Sequence, residues 1–137
     1  MKKIISLSCL LIGLLGSATA SAGAADPLFI NMTSSDSLRS TMAIAFGVTQ
    51  QAKGHPLTIF LNDGGVMVGS KAHAKKYAHE QKDLMDAMNA GATVLVCPIC
   101  LLHFKVKEAD LLPGIQMGKP DAIGAALFLD NSKALTW

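Results

Sequence analysis

The sequence predicts an α/β domain built on a mainly parallel sheet. Two observations carry that reading. Three short apolar runs, at 28–32, 57–61 and 93–96, alternate with segments whose apolar residues recur at helical spacing. The runs are also apolar almost throughout, as in strands covered on both faces. The chain has 137 residues, 50% hydrophobic and 16% charged, which suits one domain and is too short for two.

Leu28-Phe29-Ile30-Asn31-Met32 is the first strand. Thr33-Ser34-Ser35-Asp36 supplies side-chain oxygens for a helix N-cap. Leu38, Met42, Ala45, Phe46 and Thr49 recur every three or four residues, predicting a helix with these residues on its apolar side. Gly54 is placed to end it, and Leu57-Thr58-Ile59-Phe60-Leu61 forms the second strand. Asn62-Asp63-Gly64-Gly65 is a turn. A second helix spans about 74–90, with Tyr77, Leu84, Met85 and Met88 on its apolar side, and Gly91 closes it. Thr93-Val94-Leu95-Val96 is the third strand. Beyond it a short helix is expected within 101–104, a fourth strand at 115–117, a helix from Pro120 to about Leu129, and a last strand at 134–137.

The N-terminus reads as an address. Met1-Lys2-Lys3 precedes an apolar run from Ile4 to Gly16, too short to span a bilayer comfortably, and then the small residues 17–22. This is the pattern of a cleaved signal peptide, so no membrane anchor is expected in the mature chain. The favoured cut is after Ala22, with Ala20 and Ala25 as alternatives. A lipid-modified cysteine ends such a run, whereas Cys9 lies in its middle, which argues against a lipoprotein. Residues 1–22 are therefore assigned to the signal and 27–137 to the domain. Cleavage removes Lys2 and Lys3 and leaves ten basic residues against ten acidic. That balance excludes a strongly basic nucleic-acid binder. A periplasmic or secreted location follows, where thiols need either a disulfide or a maintained reductant.

Cys97 and Cys100 are the cysteines left after cleavage, in Cys97-Pro98-Ile99-Cys100 directly after the third strand. Carboxyl ends of parallel strands are where open α/β sheets place reactive groups. With Pro98 as the first helical residue, Cys97 becomes the N-cap, near unpaired N–H groups that favour thiolate. Cys100 lies one turn on, placed either to resolve a bond formed at Cys97 or to close a disulfide. A disulfide that merely pins the strand end is the plainer reading. A thioredoxin-like redox motif sits early in its fold, whereas here two strand–helix units come first. Haem attachment needs a His where Leu101 stands. His103 completes a Cys-x2-Cys-x2-His spacing, and His73 and His79 lie on the preceding helix; this donor set would suit zinc or copper(I). No metal and no cofactor are assigned on it. His55 reads as an exposed loop residue, and Lys71, Lys75, Lys76 and Lys82 as a solvated face. Asp63, Gly64 and Gly65 end the second strand and are placed to line the same crevice as the cysteines. The glycines there permit close backbone approach, but the Gly-Lys-Ser/Thr ending of a phosphate loop is missing.

The ordering of these motifs resembles the sulfur-relay DsrE/DsrF-like family. The likeness rests on the 29–37 strand and turn leading into an Ala-rich helix, on Phe60-Leu61-Asn62-Asp63-Gly64-Gly65-Val66, and on Val94-Leu95-Val96-Cys97 before a short helix. The tail from Ala109 to Trp137 fits as well. The family's strand ends in Asp-Gly-Val, and this chain has one additional Gly. The resemblance implies a three-layer α/β/α domain with a five-stranded sheet, and a homo-oligomer such as a trimer or hexamer. It implies that Cys97 carries sulfur as a persulfide and passes it to a partner thiol. The expected partners are a sulfur donor or acceptor protein, or a small sulfane-sulfur compound. The family's relay proteins are cytoplasmic, whereas this chain reads as exported. The fold therefore carries over more directly than the activity.

The expected function is sulfur handling, with Cys97 as nucleophile, Cys100 as resolving thiol, and Asp63, Gly64, Gly65, Pro98 and His103 around them. His103 is the candidate local base. The rival expectations are a non-catalytic homo-oligomeric binding or assembly module with a structural disulfide, and a dithiol oxidoreductase.

Overall fold

The computed structural model describes residues 25–137. The signal segment, the cleavage sites after Ala20 and Ala22, and Cys9 lie outside the described residues. Five strands form one all-parallel sheet: β1 (Leu28–Met32), β2 (Leu57–Leu61), β3 (Thr93–Val96), β4 (Gln116–Met117) and β5 (Lys133–Thr136). Their order is β4-β3-β2-β1-β5. The helices are α1 (Ser37–Ala52), α2 (Ala74–Asn89), α3 (Pro98–His103) and α4 (Pro120–Leu127). The expected fold class stands, with small shifts of boundary: α3 starts at Pro98, α4 ends at Leu127, and β5 starts at Lys133. Among the described residues, no helix is long and apolar enough to cross a membrane.

Strand alternation sorts the core into two layers. Leu28, Ile30, Met32, Leu57, Ile59, Leu61, Val94 and Val96 point to the side of α1 and α2 and join the larger buried cluster. Phe29, Phe60 and Leu95 point the other way and meet Ile123, Ala126 and Leu127 of α4. The first layer is thick and dry. The second is thin, because α4 has no fully buried residue and every residue of β5 is exposed.

Helix α1 corrects an expectation. Its buried face is Ser40, Ala43, Ile44 and Gly47. The apolar stripe read from the sequence faces outward, with Leu38 69% and Met42 54% exposed, and Phe46, Ala45 and Thr49 also exposed. The physical reason is close packing. A Cβ on Gly47 would stand 2.9 Å from Ile30 Cδ1 and 3.1 Å from Leu57 Cδ1, so small residues must face the sheet. Helix α2 corrects another: Tyr77 and Leu84 are buried, but Met85 is exposed, and Glu80 and Gln81 are buried in its place. Gln81 Nε2 donates to the carbonyls of Val68 and Ser70, at 3.0 and 2.8 Å.

Glu80 joins α2 to α1. Its carboxylate accepts from Ser37 Oγ, and from Thr41 Oγ1 at 3.1 Å. Burial raises its pKa, but the bonds from Ser37, its own backbone N–H and Thr41, with the nearby His79, outweigh that and hold it below the ordinary range. His55 is half-buried rather than an exposed loop residue, because its Nδ1 lies 2.8 Å from the Asp26 carbonyl. Lys71, Lys75, Lys76 and Lys82 are exposed as expected.

Candidate functional site

The site is assembled where β1, β2 and β3 end. Asn62 follows β2, and Asp63–Met67 forms a short 3-10 turn. Asn62 caps that turn, its Oδ1 accepting the Asp63 N–H at 2.9 Å. The turn folds back over β1: the Gly65 N–H donates to the carbonyls of Thr33 at 3.1 Å and Asn62 at 2.9 Å. A Cβ on Gly65 would stand 2.2 Å from the Met32 carbonyl oxygen, closer than any real contact allows. Glycine is therefore required there by backbone approach. Gly64 is less constrained, since a Cβ would meet Ser35 at 3.3 Å. The left-handed residue of the turn is neither glycine but Asp63, with φ 45°. Asp tolerates that conformation better than most residues.

The third strand delivers the cysteines. The Cys97 N–H donates to the Leu61 carbonyl at 2.9 Å, which extends the β2–β3 ladder by one rung. Cys97 is the N-cap of α3 and Pro98 its first residue, which starts the helix earlier than the expected 101–104 and meets the condition set for a capping Cys97. Cys97 Sγ accepts the Cys100 N–H at 3.2 Å. Cys97 and Cys100 are joined as a disulfide, their Cα atoms 5.2 Å apart. Both are half-buried, whereas Pro98 and Ile99 between them are exposed. Cys97 packs against both apolar layers.

Strand β2 and helix α3 meet at the sulfur of Cys100. The Asp63 N–H points at Cys100 Sγ across 3.3 Å, and Asn62 Oδ1 lies 3.1 Å from the same sulfur. The structure thus sets Asp63 against Cys100, while Gly64 and Gly65 of the same turn pack toward Ser35 and Met32, and Pro98 lies exposed between the two cysteines. His103 is not drawn in. It is exposed at the end of α3, its ring edge-on to Phe104 at 4.9 Å, and makes no hydrogen bond to either sulfur. Among the described residues, no group of three or more His, Cys, Asp or Glu side chains is placed to share a metal ion. Asn62 is the site residue to which sequence reasoning assigned no role. Its position as the first polar residue after an apolar strand was the available signal.

A family model described as the DsrE/DsrF-like family matches residues 27–130. The chain belongs to that family. The sequence resemblance to a sulfur-relay type of family is borne out at that level. Over 80 residues the chain is 31% identical to an uncharacterized protein of Methanocaldococcus jannaschii, covering 58% of this chain and 70% of that one. Its fold is similar to that of a protein of unknown function from Methanobacterium thermoautotrophicum, with a TM-score of 0.67 and 14% identity. It is also similar to the ychN protein of E. coli, with a TM-score of 0.60 and 14% identity. Each likeness covers 82% of this chain and 99% of the other. At that identity they speak for the fold, which matches over nearly the whole of each neighbour.

Proposed function

We propose that this member of the DsrE/DsrF-like family is an exported sulfur carrier, holding sulfane sulfur as a persulfide on Cys97. The observation that supports it most is the pairing of Cys97 and Cys100 at the carboxyl end of the sheet, with the Cys100 N–H directed at Cys97 Sγ. In the reduced pair, the Cys97 thiolate attacks the outer sulfur of a donor such as thiosulfate. The donor's S–S bond breaks, and sulfite leaves with the electron pair. A partner thiolate then takes the outer sulfur and returns Cys97 as thiolate. Where no partner is present, the Cys100 thiolate attacks Cys97 Sγ and expels hydrosulfide, giving the disulfide. Thiolate attack at sulfur needs no metal and no organic cofactor. Asp63, Gly64 and Gly65 would wall the site, and Pro98 would rim it.

Cyanide releases persulfide sulfur as thiocyanate, so the test is a count of labile sulfur after reduction and thiosulfate treatment. About one sulfur per chain is expected for Cys100→Ser, less for the wild type because Cys100 discharges it, and none for Cys97→Ser. No labile sulfur in Cys100→Ser would overturn the reading. The Cys97–Cys100 bond itself favours a second reading, a binding or assembly module pinned by a structural disulfide. In that case loss of either cysteine lowers stability to the same extent, and neither variant differs from the wild type in sulfur uptake.

A further inference from the structure

The two sulfurs differ in their hydrogen-bonding surroundings: Cys97 Sγ meets a backbone donor, whereas Cys100 Sγ meets both a backbone donor and a side-chain acceptor. Cys97 Sγ faces a donor, the backbone N–H of Cys100 at 3.2 Å. Cys100 Sγ faces an acceptor, Asn62 Oδ1 at 3.1 Å. The orientation of the Asn62 amide follows from its own bonds: Oδ1 accepts the Asp63 N–H at 2.9 Å, and Nδ2 turns to Asn31 Oδ1 at 3.5 Å. Flipping it would set an NH2 group against the Asp63 N–H. An amide oxygen accepts and cannot donate. A thiolate opposite it is repelled, whereas an S–H opposite it is bonded. The Asp63 N–H also reaches Cys100 Sγ at 3.3 Å, but its shorter bond is to Asn62 Oδ1.

We infer that Asn62 is a positioning residue that holds the proton on Cys100 when the pair is reduced, leaving the thiolate to Cys97. This deepens the sulfur-carrier reading and rests on it for its purpose. Cys97 is the sulfur that must attack a donor. Cys100, kept as a thiol, resolves the persulfide only after its proton leaves. Asn62 thereby sets both which cysteine loads and how long the loaded state lasts. The bond broken in resolution is that between Cys97 Sγ and the outer sulfur, which departs as hydrosulfide and takes up the proton that Asn62 had held on Cys100.

The test is competitive alkylation of the reduced full-length mature protein with limiting iodoacetamide, the modified cysteine being identified by peptide mass. Iodoacetamide reacts with thiolate. In the wild type Cys97 is modified first. In Asn62→Ala the preference for Cys97 falls about 2- to 10-fold, the equivalent of one neutral hydrogen bond. Asn62→Asp keeps an acceptor oxygen at the same reach and preserves or increases the preference, so a general disturbance of the turn is separable from loss of the acceptor. An unchanged ratio in Asn62→Ala, a fall of equal size in Asn62→Asp, or a wild type in which Cys100 reacts first would overturn the inference. The readout involves no sulfur donor. A protein with the expected selectivity that takes up no sulfur would refute the carrier reading while leaving the role of Asn62 in place.

Discussion

The Asp63 amide points at Cys100 Sγ across 3.3 Å, joining the turn after the second strand to the helix after the third. Thirty-seven residues separate the two in sequence. The contact exists because the turn lies flat on the end of β1, and it lies flat because Gly65 has no side chain. Gly65→Ala would force Cβ into the Met32 carbonyl. Overpacking of this kind typically costs about 1–3 kcal/mol, and a clash with backbone belongs at the upper end. Urea unfolding should show that loss for Gly65→Ala and a smaller one for Gly64→Ala. Equal, negligible costs at both would contradict the turn geometry.

The inward face of α1 is tested by contrast. Ile44 is fully buried, whereas Leu38 is largely exposed. Ile44→Ala should cost about 2–5 kcal/mol. Leu38→Ala should stay within about 0.5 kcal/mol, as surface changes do. The reverse ranking in chemical denaturation would mean that the helix is rotated from the face described.

Glu80 makes part of the stability depend on pH. Its folded pKa is held below its unfolded value, ordinarily about 4.3. The carboxylate's contribution is therefore fully present above that value and is lost as pH falls through the folded pKa. Glu80→Gln keeps the shape but removes the charge that strengthens the bonds from Ser37 and Thr41. At about pH 7 the variant should be less stable by about 1–3 kcal/mol. The gap should narrow as unfolding is measured at successively lower pH through the acid range. A gap that widens on acidification would contradict the sign.

Much of this was legible in the sequence because the signals were local. The continuous apolar runs at Leu28, Leu57 and Thr93 mark strands covered on both faces, and each is a strand. Pro98 after Cys97 marks a helix start, and the helix starts there. What failed was the direction of α1. Periodicity rewards large apolar residues such as Leu38 and Met42, whereas a helix packed tightly on a sheet buries small ones such as Gly47. Polar residues that act at a distance were also hidden. Glu80 depends on Ser37 and Thr41 of another helix, and Asn62 meets Cys100 only because two strand ends lie side by side. His103 shows the converse, since its spacing from the cysteines puts it on the same short helix but not against the sulfurs.

The central claim is that Cys97 carries the sulfur and Cys100 removes it. The most direct measurement is the intact mass of the mature protein after reduction and exposure to thiosulfate or polysulfide, followed over time. The wild type should gain one sulfur atom and lose it again as the disulfide forms. Cys100→Ser should gain the same atom and keep it until a reductant or acceptor thiol is added, and Cys97→Ser should gain none. Equal loading of the two variants, or a wild type that stays at the mass of the disulfide and resists mild reductant, would contradict the account.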